Sequence, residues 1–279
     1  MPVPTDPDAL ARQARQHLEG LRAAGVEWLP MPKKRAAPKP SPDADNPAGV
    51  PPDLAAAAVV SPETPAETLF GDLGPGTPPP ANPDQRRHEL TLLKETVAGC
   101  VRCPELAASR TQTVFGVGPL DADLCFVGEA PGADEDRTGE PFVGAAGQLL
   151  NRIIAACGLK REEVFICNIL RCRPPGNRVP KANEAANCRE YLDKTLDLVR
   201  PKFLCALGAT AAKHLLGTTL GIGRLRGRFH EYRGIPVLCT FHPASLLPHR
   251  SPENKRLVWD DMKMLLQRMG KPIPQAKKE

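Results

Sequence analysis

The sequence predicts an α/β fold in three layers, a central and mostly parallel sheet between helices, preceded by a disordered Pro/Ala-rich N-terminal extension. Two observations carry this expectation. From Asp123 onward, short apolar runs that end in turns (DLCFVG, EVFICNIL, KFLCALG) alternate with stretches whose apolar residues recur at helical spacing (GAAGQLLNRIIAAC, ANEAANCREYLDKTLDLV). That alternation is what parallel strands joined by crossover helices require. Before Gln85 the composition is different: more than half of the 32 prolines fall there, and no aromatic residue occurs between Trp28 and Phe70. Such a segment buries too little apolar surface to offset its ordering entropy.

The elements follow in chain order. Residues 1–29 hold an amphipathic helix that starts at Asp6 and Pro7, repeats Leu10, Leu18 and Leu21 on one face and stops at Gly25; a protein partner that docks on it and packing on its own domain are equally good readings. Residues 30–85 read as a disordered linker. Residues 86–270 form one domain, large enough for a sizeable core. Within it, Glu89 to Val97 is a helix that delivers a C-x-x-C turn. A strand pair, GRFHEY and IPVLCTF, follows the three parallel strands, and a last helix runs from Pro252 to Met269. Residues 271–279 are a basic tail.

Composition narrows the function classes. Net charge is +5, which permits a polyanionic partner without demanding one. The nine cysteines are an odd number, several lie in apolar runs (Cys125, Cys167, Cys205, Cys239), and the N-terminus does not resemble a signal peptide, so a reducing cytoplasm is expected. No apolar stretch is long enough to cross a bilayer. A monomer is expected.

Four other cysteines carry chemistry. Cys100 and Cys103 form the C-x-x-C turn, and Cys172 and Cys188 flank RCRPPGNRVPKANEAANC. Thiolates suit zinc or an iron-sulfur cluster equally by softness. Zinc ribbons usually carry two close pairs, and the wide separation of the second pair here favours a 4Fe-4S cluster. Cys188 alone also reads as a core residue of its helix.

Ligands on parallel sheets bind at the carboxyl ends of the strands, and three unusual segments fall there. In GEAPGADEDRTGEPFVG, Gly128 and Gly132 let the backbone approach a ligand, and Phe142 is an aromatic suited to stacking on a planar ring or to packing in the core. Asn168 ends the strand FICNIL; its amide offers a donor and an acceptor side by side, the match for the O4 and N3–H edge of uracil and the opposite of cytosine. His242 in FHPASLL can donate a hydrogen bond to charge developing on a departing base. Leu246 and Leu247 can wedge into a base stack or begin a buried loop. Arg173, Arg178 and Arg250 are candidates for phosphate contacts.

These motifs, GEAPG-x-x-ED, PFVG-x-AGQLL, N-x-x-x-CRPP-x-NR-x-P and HPAS, together with the four cysteines, resemble the family 4 uracil-DNA glycosylases, the iron-sulfur members of that superfamily, from about Glu89 to Met269. The resemblance implies a 4Fe-4S cluster on Cys100, Cys103, Cys172 and Cys188, and removal of uracil from DNA in base excision repair. It also implies a uracil pocket on Gly128, Glu129, Ala130, Glu135, Phe142, Asn168 and His242. RCRPPGNRVP lacks the basic, histidine-containing insert of a related subgroup that traps uracil covalently, so turnover is expected. Glu129 or Glu135 is expected to orient the attacking water, His242 to stabilise the leaving uracil, and the Gly132 to Glu135 loop to exclude the thymine methyl. No lysine nucleophile is evident, so the expected product is an abasic site in an uncut strand. The competing expectation is a non-catalytic iron-sulfur DNA-binding module that recruits a repair partner.

Overall fold

The computed structural model describes residues 82–247 and 253–274. The expected N-terminal helix, the linker as far as residue 81, Arg250 and residues 275–279 of the tail lie outside the described residues.

Eight helices and five strands are present among the described residues: α1 (Pro83–Ala98), α2 (Pro104–Ser109), β1 (Leu124–Gly128), α3 (Ala133–Thr138), α4 (Ala145–Ala156), β2 (Phe165–Asn168), α5 (Ala182–Val199), β3 (Phe203–Leu207), α6 (Ala209–Leu216), α7 (Ile222–Leu225), β4 (Phe229–Tyr232), β5 (Ile235–Thr240) and α8 (Glu253–Arg268). Helix α1 begins at Pro83, inside the stretch expected as linker. The cause is local: the Asn82 side chain accepts the Asp84 N–H at 2.9 Å, and Pro83 sits where no N–H is needed.

The sheet has the order β2-β1-β3-β5-β4, parallel throughout except for β4, which pairs antiparallel with β5. Strands β1 and β2 are buried along their whole length, which explains why they read as unbroken apolar runs: both faces are covered. On one face Leu93 and Val97 of α1 pack with Leu192 and Leu196 of α5. On the other, Leu150 and Ile154 of α4 pack with Val258, Met262 and Leu265 of α8. These are the two outer layers the sequence calls for.

Register positions the functional end. Gly128 pairs with Asn168, and Leu207 pairs with Thr240, so the carboxyl ends of β1, β2, β3 and β5 share one rim. Among the described residues no helix is long and apolar enough to cross a membrane.

Candidate active site

At this rim the backbone of one strand touches the side chains of its neighbours. A methyl group on Gly128 would lie 2.3 Å from Asn168 Oδ1 and 2.5 Å from Phe142 Cζ. Only glycine fits, and its lack of a side chain lets an amide and an aromatic ring converge on one spot. Phe142 comes from the loop between α3 and α4 with φ at 56°, a conformation that a bulky residue adopts only when its surroundings impose it. The Glu135 carboxylate imposes it. Oε1 accepts the N–H groups of Val143 and Gly144, each at 2.9 Å, and Oε2 accepts that of Gly132 at 3.1 Å. Arg161 braces the same loop from outside, donating to the Pro141 carbonyl at 2.6 Å and to Asn151 Oδ1 at 2.7 Å.

His242 follows β5, and its ring lies 5.7 Å from that of Phe142, tilted by 32°. Gly208, in the left-handed region at φ 93°, makes room for it: a methyl there would come within 2.9 Å of the His242 Cβ. The Nδ1 atom of His242 accepts the Ala244 N–H at 3.2 Å. That bond leaves the proton on Nε2. Burial pushes the imidazole pKa down to about 4, against the opposing pull of Glu135. The ring is therefore neutral at pH 7 and a hydrogen-bond donor at Nε2.

Asn168 is 2% exposed, and its Oδ1 has no hydrogen-bond partner among the described residues. A buried acceptor left in this condition costs about 1–3 kcal/mol. A ligand N–H would remove that cost, and the Phe142 ring lies alongside.

The expected site residues do not all behave alike. Gly128, Phe142, Asn168 and His242 meet. Glu129 and Ala130 follow Gly128 directly and are half-buried; no hydrogen bond among the described residues restrains the Glu129 carboxylate, although its charge reaches His214 on α6. Glu135 departs from the expectation of a water-orienting carboxylate, because both of its oxygens are occupied by backbone N–H groups. Leu246 is 2% exposed and packs in the core with Met262 and Leu265, so it begins a buried loop and is no wedge; Leu247 is half-buried. Arg178 is committed to Glu184 at 2.6 Å and Glu105 at 3.3 Å, and so is a poor phosphate ligand. Arg173 donates to Asn177 Oδ1 at 2.7 Å through Nε, which leaves the rest of its fork available.

The four cysteines line one pocket, walled also by Leu106, Leu170 and Tyr191. Two donors address the sulfurs: Arg110 Nη1 lies 3.1 Å from Cys172 Sγ, and Asn187 Nδ2 lies 3.5 Å from Cys103 Sγ. Such contacts are what orient and tune sulfur ligands. No three metal-ligating side chains among the described residues close on a single ion. Burial pushes the Cys188 thiol up to about 11 and raises that of Cys172 as well; the charge of a bound metal would favour their thiolate forms.

Several supporting residues escaped the sequence reading. Gly208 had a visible signal, since an apolar strand followed by glycine in LCALGAT repeats the pattern of LCFVGEA. Arg161 and Arg171 had none, because an arginine in polar sequence looks the same whether it faces solvent or the interior.

The Uracil DNA glycosylase superfamily profile matches residues 115–263. A type-4 uracil-DNA glycosylase of Thermotoga maritima is 42% identical over 179 residues, which cover 63% of this chain and 93% of the relative. One of Archaeoglobus fulgidus is 39% identical over 188 residues, 64% of this chain and 92% of the relative. A type-5 uracil-DNA glycosylase of Pyrobaculum aerophilum is 30% identical over 183 residues, 54% of this chain and 80% of the relative.

Proposed function

The chain belongs to the uracil-DNA glycosylase superfamily and, within it, to the type-4 enzymes; we propose that it hydrolyses the N-glycosidic bond of uracil in DNA and leaves an abasic site for base excision repair. The observation that carries this reading is the orphaned Asn168 Oδ1, buried between Gly128 and Phe142.

A uracil inside a duplex is out of reach, so the nucleotide must flip into the pocket at an unstacking cost of a few kcal/mol. Phe142 stacks on the base. Asn168 Oδ1 accepts the uracil N3–H and its Nδ2 donates to O4. Cytosine presents the reverse pattern and would leave both amide groups unpaired, which supports discrimination of roughly 10⁴-fold or more. Thymine is excluded by shape, through the Gly132 to Glu135 turn that Glu135 holds rigid against Phe142.

As the glycosidic bond breaks, electrons move onto the base and positive charge builds on the sugar. The neutral His242 donates from Nε2 to the uracil oxygen that gains charge. A neutral donor suits this role because the leaving anion needs a hydrogen bond and not a full proton. Water then attacks the sugar carbon. With Glu135 committed to the backbone, Glu129 is the carboxylate that orients it. None of these groups is a lysine, so the strand stays intact.

The four thiols are suited to a 4Fe-4S cluster on Cys100, Cys103, Cys172 and Cys188. The pocket they line and the Arg110 and Asn187 donors support that assignment. When bound, the cluster supplies a compact anionic crosslink between α2, α5 and the segment after β2. Arg173 extends from that segment toward phosphate, and Leu247 takes the wedge position.

The test is excision by purified protein on oligonucleotides with one uracil opposite G, opposite A or unpaired, followed by alkali. Cleavage at uracil only after alkali is expected. Scission without alkali overturns the monofunctional reading, and DNA binding without excision favours the recruiting module.

A further inference from the structure

Arg171 stands between the two sites and belongs to neither. Its side chain is 1% exposed, the bulkiest of the fully buried ones. A guanidinium in that position is always charged, and taking it out of water costs several kcal/mol unless partners compensate. No carboxylate among the described residues pairs with it. Nη1 donates to the Asn168 carbonyl at 3.2 Å, Nη2 donates to Thr195 Oγ1 at 3.0 Å, the Phe115 ring lies 5.3 Å beneath it, and Nε has no partner.

Two of these contacts lead to the two sites, while Phe115 and the buried Cys167 thiol, on which the guanidinium also acts, belong to the core between them. The Asn168 carbonyl belongs to the residue proposed to read the base. The Thr195 hydroxyl in turn donates a hydrogen bond to the Tyr191 carbonyl at 2.6 Å, and Tyr191 lines the cysteine pocket. The main chain of Arg171 continues directly into Cys172, and its backbone is hydrogen-bonded to Cys188. Four thiolates around an iron-sulfur core carry net negative charge, which would supply the countercharge that no carboxylate among the described residues gives this arginine. We infer that Arg171 is a positioning residue that couples the iron-sulfur corner to the base-reading amide, with its charge balanced on one side by the cluster and its Nη1–H holding the Asn168 main chain on the other. This rests on the uracil and iron-sulfur reading given above.

The experiment compares Arg171→Met, which keeps the length and loses the charge, with Arg171→Lys, which keeps the charge. Three quantities are measured on the full-length holoenzyme: iron content, the cluster reduction potential by protein-film voltammetry, and kcat and KM on uracil-containing DNA. For Arg171→Met, kcat should fall about 10- to 100-fold, as loss of a partner that orients a site residue does. Its KM should stay within about threefold of wild type, its iron should remain, and its potential should shift downward, because a nearby positive charge favours the reduced cluster. Arg171→Lys should keep the potential and lose turnover, since one ammonium does not span both the Asn168 carbonyl and the Thr195 hydroxyl. Unchanged kcat in the Met variant overturns the inference, whether or not the potential moves. So does activity that falls only in proportion to iron lost in both variants, which makes Arg171 an anchor of the cysteine corner alone. Wild-type protein that lacks iron or does not excise uracil would instead refute the underlying functional reading.

Discussion

The uracil pocket and the cysteine corner lie on one domain and are built on opposite principles. The pocket is assembled by backbone: Gly128 and Gly208 bring strands against side chains, and Glu135 ties three N–H groups into the turn that presents Phe142. It is complete without a guest, apart from one unmet acceptor on Asn168. The corner is assembled by side chains that line a pocket, and burial holds two of its thiols away from the charged form that binds metal. On the proposed reading, the pocket takes its geometry from the fold, whereas the corner would depend on the metal loaded into it.

That contrast predicts different failures. The largest effect belongs to the pocket: Asn168→Ala and His242→Ala should each lower kcat by about 10² to 10³, with iron content and melting temperature close to wild type. Asn168→Ala also removes the unmet buried acceptor, so calorimetry should find no destabilisation at that side chain. Parallel loss of iron in either variant would erase the distinction between the two regions.

At the corner the order reverses. Cys103→Ser or Cys188→Ser should remove the iron absorbance near 400 nm and lower the melting temperature, with activity falling by about 10- to 100-fold as a secondary result. A colourless wild-type protein that contains only zinc would defeat the cluster assignment.

Acid separates the regions next. Because burial holds the folded-state pKa of His242 at about 4, below the ordinary 6.5, the unfolded chain binds more protons than the folded one between these values. His242 therefore contributes to stability above pH 6.5, and that contribution is lost as pH falls through about 4. The donor role also requires no loss of activity until that lower range, so a pH–rate profile with an acid limb near 6.5 would contradict a neutral imidazole at this half-buried position. His242→Gln should lose this acid sensitivity in thermal melts.

The smallest effects separate two arginines that look alike in RCRPPGNR. Arg173→Ala should reduce the slope of log affinity for DNA against log salt by about one unit. Arg178→Ala should leave that slope alone and lower the melting temperature, because it strands the buried Glu184.

How much of this was legible follows the same physics. The order of strands and helices, the residues Gly128, Phe142, Asn168 and His242, and the four cysteines all stand out because their residue types are unusual in their local setting. Each strand-end motif is short enough that its chemistry does not depend on distant partners. Roles that depend on a partner far along the chain were not legible. Glu135 reads as a carboxylate that could orient the attacking water until the N–H groups of Gly132, Val143 and Gly144 are seen to occupy it. Leu246 reads as a wedge until α8 covers it, and Arg178 as a phosphate ligand until Glu184 claims it. The short helices α2, α3, α6 and α7 escaped notice because segments of that length have little periodicity to detect.

From its residues alone this chain determines an alternating α/β order, a rim of strand-end motifs and a set of soft ligands, since those are properties of type and spacing. Tertiary structure decided which carboxylate is free, which arginine is buried and which side of His242 carries the proton. Those are matters of burial and partner choice, and the free energy of a polar group is set by what surrounds it once water has been removed.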